Sequence, residues 1–177
     1  MSEVIELEAS YLAARIPEGL AAHEHIDIED IYFPATEPHA KMRIRHKGDK
    51  YEFTKKIQLD PSDAGQQQEL NVDLTADEYK ALSQGDGRNV YKARYFLPYE
   101  GRTAEVDIFK GALEGLVIIE FEFDTLEEKN AFTMPDFCLA DVTQEEFIAG
   151  GMLAGKAYQD IQEGLLRFNY KPLEQPS

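Results

Sequence analysis

Residues 104–123 read AEVDIFKGALEGLVIIEFEF. This stretch holds two apolar segments that each carry a pair of carboxylates two residues apart, Glu105 with Asp107 and Glu120 with Glu122. Side chains alternate across a strand, so the members of each pair share a face while Val106, Ile108, Ile119, Phe121 and Phe123 share the other. Gly111 and Gly115 lie between the segments and predict a hairpin. Pairing the strands brings four carboxylates onto one face of one sheet, an arrangement that is unfavourable unless water or cations lie beside them. Taken alone, the stretch is satisfied by an amphipathic hairpin with a wet acidic face.

Working outward, the same strand type recurs with changes of sign. Near the start, Glu6, Glu8 and Ser10 alternate with Ile5, Leu7 and Ala9. Residues 41–46, KMRIRH, place Arg43 and Arg45 opposite Met42 and Ile44; the Gly48-Asp49 turn leads to a returning strand, YEFTKKI, that contributes Lys56 or Lys55 depending on register. Residues 89–97, NVYKARYFL, place Lys92 and Arg94 on one face. Solvated faces mix Lys with Glu, whereas the three strands with acidic pairs and the two with basic pairs, Arg43/Arg45 and Lys92/Arg94, are each pure in sign on that face. A basic lining suits a multiply charged anion, and carboxylates facing it suit Mg²⁺ or Mn²⁺, hard cations that bridge protein carboxylates to phosphate oxygens. The two-residue period does not distinguish a barrel with these charges inside from one with them outside.

Elsewhere, Thr75-Ala76-Asp77-Glu78 is a capping box that starts a helix running to about Gln84. Residues 60–68 are rich in turn formers and predict a loop before a short strand at Glu69–Leu74; Leu126–Phe132 predicts a short helix and residues 136–141 a connector. Thr143 with Glu146 suggests a second capping box, with the helix interrupted at Gly150-Gly151 and resumed over Met152–Leu166. A polar stretch after Ala13 precedes a strand at Ile26–Phe33; within it His23 and His25 flank Glu24, three side chains of a loop that are ordinarily just solvated.

The chain of 177 residues, 43% hydrophobic, suffices for one domain, expected over residues 1–170, with a frayed tail at 171–177. Eighteen basic against 34 acidic residues argue against a nucleic-acid or anionic-membrane surface, so an anion site has to be local. One cysteine, Cys138, excludes an internal disulfide and fits a reducing, cytoplasmic setting. The start, MSEVIELEASYL, does not read as a signal peptide, and no stretch has membrane-spanning length.

The order of IELE, RIR, FTKK, KARY, EVDIF, IEFEF and DVT along Ile5 to about Tyr158 resembles the CYTH superfamily, the triphosphate tunnel metalloenzymes. The resemblance implies an α+β fold in which a closed antiparallel eight-stranded β-barrel, a tunnel, is flanked by helices. It implies Glu6, Glu8, Asp107, Glu120 and Glu122 as residues that hold Mg²⁺ or Mn²⁺ or orient its water, and Glu120, Glu122 and Lys56 as catalytic. It further implies Arg43, Arg45, Lys56, Lys92 and Arg94 as the triphosphate clamp, with Lys156 as a further basic contributor near the C-terminus. Ser10 stands where the ExExK signature has lysine, Asn71 replaces a frequent second acid, and Gln144, Glu145 and Glu146 follow DVT where arginine is common. Serine cannot supply positive charge to the phosphate being cleaved.

The expected activity is divalent-metal-dependent hydrolysis of a short triphosphate such as tripolyphosphate. Its rivals are a non-catalytic polyphosphate or nucleotide binder, which Ser10 favours, a class IV-type adenylate cyclase, for which no base-binding motif is present, and a barrel with outward charges and no anion site. The sequence leaves open whether the chain forms a homodimer.

Overall fold

The computed structural model describes residues 1–174. Nine strands form one antiparallel sheet: β1 (Ser2–Ala13), β2 (His25–Phe33), β3 (Met42–Lys47), β4 (Lys50–Asp60), β5 (Asp63–Leu74), β6 (Arg88–Tyr99), β7 (Arg102–Phe109), β8 (Val117–Glu122) and β9 (Cys138–Asp141). Their order is β5-β4-β3-β2-β6-β7-β8-β1-β9, and β1 also pairs with β5. That last pairing closes eight strands into a barrel and leaves β9 outside it on β1. Closure pairs the long strand β5 with β1, so that β5 is not left as a free edge.

Register decides which way the charges face. Glu8 lies opposite Glu122, Ser10 opposite Glu120 and Glu105 opposite Glu120, while Asp107 lies opposite Arg94 and Asp30 opposite Arg45. Directly opposed residues share a face, so the pure-sign faces of the strands meet on one surface, the inside. The outward faces are the apolar ones and are covered. Ala9, Tyr11, Val106, Ile108, Ile119 and Phe121 pack with Phe132 and Phe137 from the segments around α2 (Leu126–Ala131) and β9. Helix α1 (Ala76–Leu82), begun by the Thr75/Glu78 capping box, sets Tyr79 against Ile31 and Ile44.

Towards one end the inward face turns apolar. Leu12, Tyr32, Val90, Phe109 and Ile118 pack there against Val142, Ile148, Leu153, Ile161 and Leu165, from the segment that contains α3 (Gly150–Leu153) and α4 (Tyr158–Leu166). The C-terminal helices thus fill one end of the barrel instead of only covering its flank.

Four local expectations are corrected. Residues 63–68 belong to β5, because Asp63 turns the chain by accepting from Gly65 N (2.9 Å) and Gln66 continues the ladder opposite Leu7. Residues 138–141 form β9. Thr143 starts no long helix: its hydroxyl accepts from Ser10 N (3.0 Å), tying the segment to β1, and only a 3₁₀ turn at Glu146–Ile148 and the short α3 precede α4. The tail is docked up to its last described residues, with Leu173 N donating to Gly115 O (3.0 Å); residues 175–177 lie outside the described ones. Among the described residues no helix is long and apolar enough to cross a membrane.

Candidate active site

The barrel encloses a cavity of about 1150 Å³. Glu6, Glu8 and Ser10 of β1, Arg43 and Arg45 of β3, Lys56 of β4, Glu69 and Asn71 of β5, Lys92 and Arg94 of β6, Glu105 of β7, and Glu120 and Glu122 of β8 all line it. The register also settles the lysine of β4. Lys56 lies opposite Glu69 and its ammonium contacts Glu6 (2.6 Å) and Glu69 (3.1 Å), whereas Lys55 is exposed at the rim.

The cations are held from behind by buried acids. Arg45 donates from Nε to Asp30 Oδ1 (2.6 Å) and from Nη2 to Asp30 Oδ2 (2.8 Å), with Asp30 2% exposed. Arg43 donates to the Tyr32 hydroxyl (3.2 Å) and lies 3.7 Å from Glu69, while its Nε is buried without a hydrogen bond. Arg94 donates from Nε to Asp107 Oδ1 (2.6 Å) and from Nη2 to Asp107 Oδ2 (2.7 Å), and its remaining donors reach Glu105 and Glu120. Lys92 donates to Asp107. Against the effect of burial, Arg94 and Lys92 hold the Asp107 carboxyl down at about 2, and Lys56 with Arg43 hold Glu69 at about 2.

The acids of β1 and β8 differ. Glu8 and Glu122 are direct register partners, and neither carboxylate has a hydrogen bond or ion pair among the described residues. Burial, with Glu120 and Glu6 alongside, pushes the Glu8 carboxyl up to about 7 despite Lys56. Burial and Glu105 raise Glu122 likewise. Among the described residues no three His, Cys, Asp or Glu side chains are gathered into a ready-made metal site. The acids are fanned along the wall, with Glu6 on Lys56 and Glu105 and Glu120 on Arg94. The donor set still fits a hard divalent cation, being all carboxylate oxygen. Its negative charge is least compensated at Glu8 and Glu122.

Two sequence-derived residues are placed differently. Lys156 is not brought to the cavity: it lies in the turn between α3 and α4, its N–H donating to Leu153 O (3.0 Å), and it lines a separate surface depression with Phe147, Asp160 and Arg167. Asp107 is at the barrel wall but 1% exposed and behind the cavity lining. Sequence reasoning passed over Asp30 and Tyr32. A signal was present, since in HIDIEDIYF Asp30 falls out of phase, on the face of Ile26 and Ile28. His25 stacks on Tyr95 with 4.6 Å between ring centres, and Cys138 is buried, its thiol pushed up to about 12 by burial.

This arrangement has counterparts. An inorganic triphosphatase of Nitrosomonas europaea is 30% identical over 147 residues, spanning 80% of this chain and 91% of that protein. The chain belongs to the CYTH, or triphosphate tunnel, family. An inorganic triphosphatase of Acetivibrio thermocellus is 36% identical to this CYTH chain over 74 residues, 42% of the chain and 46% of that protein. The crystal structure of the inorganic triphosphatase NE1496 superimposes with a TM-score of 0.62 at 25% identity, covering 86% of this chain and 96% of that one. No model of a known protein family matches the chain. Within the CYTH tunnel, the departures at Ser10, opposite Glu120 in register, and at Asn71 on β5 both line the cavity.

Proposed function

We propose that this CYTH chain is an inorganic triphosphatase that hydrolyses a terminal phosphoanhydride of tripolyphosphate with Mg²⁺ or Mn²⁺. One observation carries the reading: buried Arg43, Arg45, Lys92 and Arg94, with half-buried Lys56, share a lumen with Glu8 and Glu122, carboxylates that no cation pairs among the described residues. The names of the two relatives support the same activity.

Phosphoryl transfer needs in-line positioning and charge neutralisation more than covalent chemistry. The guanidinium groups of Arg43 and Arg45 and the ammonium groups of Lys56 and Lys92 would neutralise the phosphate chain and hold it along the wall. Glu8, Glu120 and Glu122 would hold the divalent cation, which when bound neutralises phosphate oxygens and polarises the attacking water. Water oxygen bonds to the terminal phosphorus, the bridging P–O bond breaks, and pyrophosphate leaves. The proton released by the water passes to the departing pyrophosphate oxygen. The filled end of the barrel excludes bulk water from one side of the lumen.

The test is phosphate release from tripolyphosphate with Mg²⁺ or Mn²⁺ and with chelator, on the wild type, Glu120→Gln and Glu122→Gln. Chelator-sensitive release that both substitutions abolish is expected; full activity in both variants would sink the assignment. A second reading, a polyphosphate binder without turnover, is favoured by the hydroxyl of Ser10 beside Glu120 where the family signature has an ammonium group. Tripolyphosphate binding measured calorimetrically, with no phosphate released under any metal, would select it.

A further inference from the structure

Asp107 sits in the EVD motif that resemblance assigns to the divalent cation, yet its surroundings are those of a different device. Both its oxygens are taken from within the protein: Oδ1 accepts from Arg94 Nε, and Oδ2 accepts from Arg94 Nη2 and from Lys92 Nζ. Glu105, two residues away on the same face of β7, lines the cavity, as do Lys92 and Arg94; Asp107 does not. The same construction stands on the other side of the basic row, where Asp30, equally hidden, holds Arg45 through two hydrogen bonds and lies 4.0 Å from Arg43 Nε. Along the sheet the order is β3, β2, β6, β7, so two buried acids bracket the cations of the RxR and KxR strands.

We infer that Asp107 is a positioning residue that fixes Lys92 and Arg94 towards the substrate phosphates, and that it does not ligate the divalent cation. Turning this carboxylate to a metal in the lumen would strip buried Lys92 of its carboxylate and Arg94 of two of its hydrogen bonds, a loss that buried cations tolerate poorly. The planar guanidinium explains why an acid is needed there. A carboxylate that takes Nε and one Nη in a single plane fixes the orientation of the group, whereas an arginine packed only by apolar neighbours keeps its rotamer freedom. Asp107 would therefore act on substrate affinity through Lys92 and Arg94, and the acids of β1 and β8 on cation affinity.

The inference rests on the triphosphatase reading, and the test separates the two. Mn²⁺ binding without substrate, and tripolyphosphate binding in chelator, are measured calorimetrically on the wild type, Asp107→Asn and Glu122→Gln. Asp107→Asn is expected to bind Mn²⁺ within about twofold of the wild type while its tripolyphosphate affinity falls about tenfold or more, the scale of a misplaced binding group. Glu122→Gln should do the reverse. A fall in Mn²⁺ affinity in Asp107→Asn as large as in Glu122→Gln overturns the inference, and so does unchanged tripolyphosphate affinity; either leaves the triphosphatase reading intact. A wild type that binds neither probe overturns both. Should Asp107→Asn fail to fold, a Mn²⁺-soaked crystal of the wild type decides: Mn²⁺ at coordination distance from Asp107 refutes the assignment, and Mn²⁺ on Glu120 or Glu122 alone upholds it.

Discussion

Replacing Glu8 by Gln should make this protein more stable and less active, and the gain should grow with pH. Folding moves the Glu8 carboxyl from 4.5 to about 7, because burial and the neighbouring Glu120 and Glu6 disfavour its charge. The folded state therefore holds a proton that the unfolded chain releases. The associated stability is present in full below 4.5 and is lost as pH rises through 7. At 1.36 kcal/mol per pH unit the full loss is about 3 kcal/mol. Partial exposure of the side chain and the nearby Lys56 reduce it to about 1–3 kcal/mol. Gln is neutral throughout and has no such loss. Thermal melts in chelating buffer should then show the Gln variant and wild type close together at pH 4.5. At pH 8 the variant should melt higher, at about 2–4 °C per kcal/mol for a chain of this size. Mn²⁺ should narrow the pH 8 gap by stabilising the wild type more, as a ligand of the folded state does. A variant that is less stable at pH 8, or a gap independent of pH, would refute the reasoning that Glu8 is an uncompensated buried acid.

Three further outcomes are expected. Ser10→Lys, which returns an ammonium group to the wall opposite Glu120, should raise kcat for tripolyphosphate several-fold, at the low end of what one electrostatic donor contributes, with little change in melting temperature; steady-state kinetics at saturating Mn²⁺ checks it, and a fall in kcat would show that Ser10 has been compensated elsewhere. Tyr170→Phe should destabilise by about 1–3 kcal/mol, because the buried hydroxyl accepts from Val117 N (2.8 Å) and donates to Gly115 O (2.8 Å), and its loss leaves an N–H without a partner; urea denaturation gives the value. Cys138, buried with its thiol pushed up to about 12, should react with a disulfide reagent at pH 8 only when denaturant is added; immediate reaction of the native protein contradicts the placement.

Much of the barrel was legible because an antiparallel strand with one charged face writes its period directly into the sequence. The pairs at Glu6/Glu8, Arg43/Arg45, Lys92/Arg94 and Glu120/Glu122 all appear on strands, all on the inner face. The helix begun by Thr75 was legible for a different reason, since a capping box is satisfied within four residues. Thr143 and Glu146 carry the same spacing, yet the Thr143 hydroxyl bonds β1, a partner 133 residues away that no local pattern announces. Residues 63–68 read as a loop because Gln and Gly carry no hydrophobic period, although their backbone completes the ladder with β1. Lys156 was drawn in by its motif alone, and the turn between α3 and α4 leaves it on the outer surface.

By itself the sequence determined the eight strands of the barrel, short of their full lengths, the charge pairs they carry and most of the cations and acids of the lumen, since alternation needs only neighbouring residues. Direction and partnership were decided by the tertiary structure. Whether the charged faces point in or out depends on closure through the β1–β5 pairing, a contact between residues some 60 or more apart in the chain. Which acids are free depends on side chains from different strands meeting across the register: Asp30 and Asp107 are consumed by Arg45, Lys92 and Arg94, while Glu8 and Glu122 are left facing each other. A carboxylate's chemistry is set by what lies within a few ångströms of it, and only the folded chain determines those neighbours.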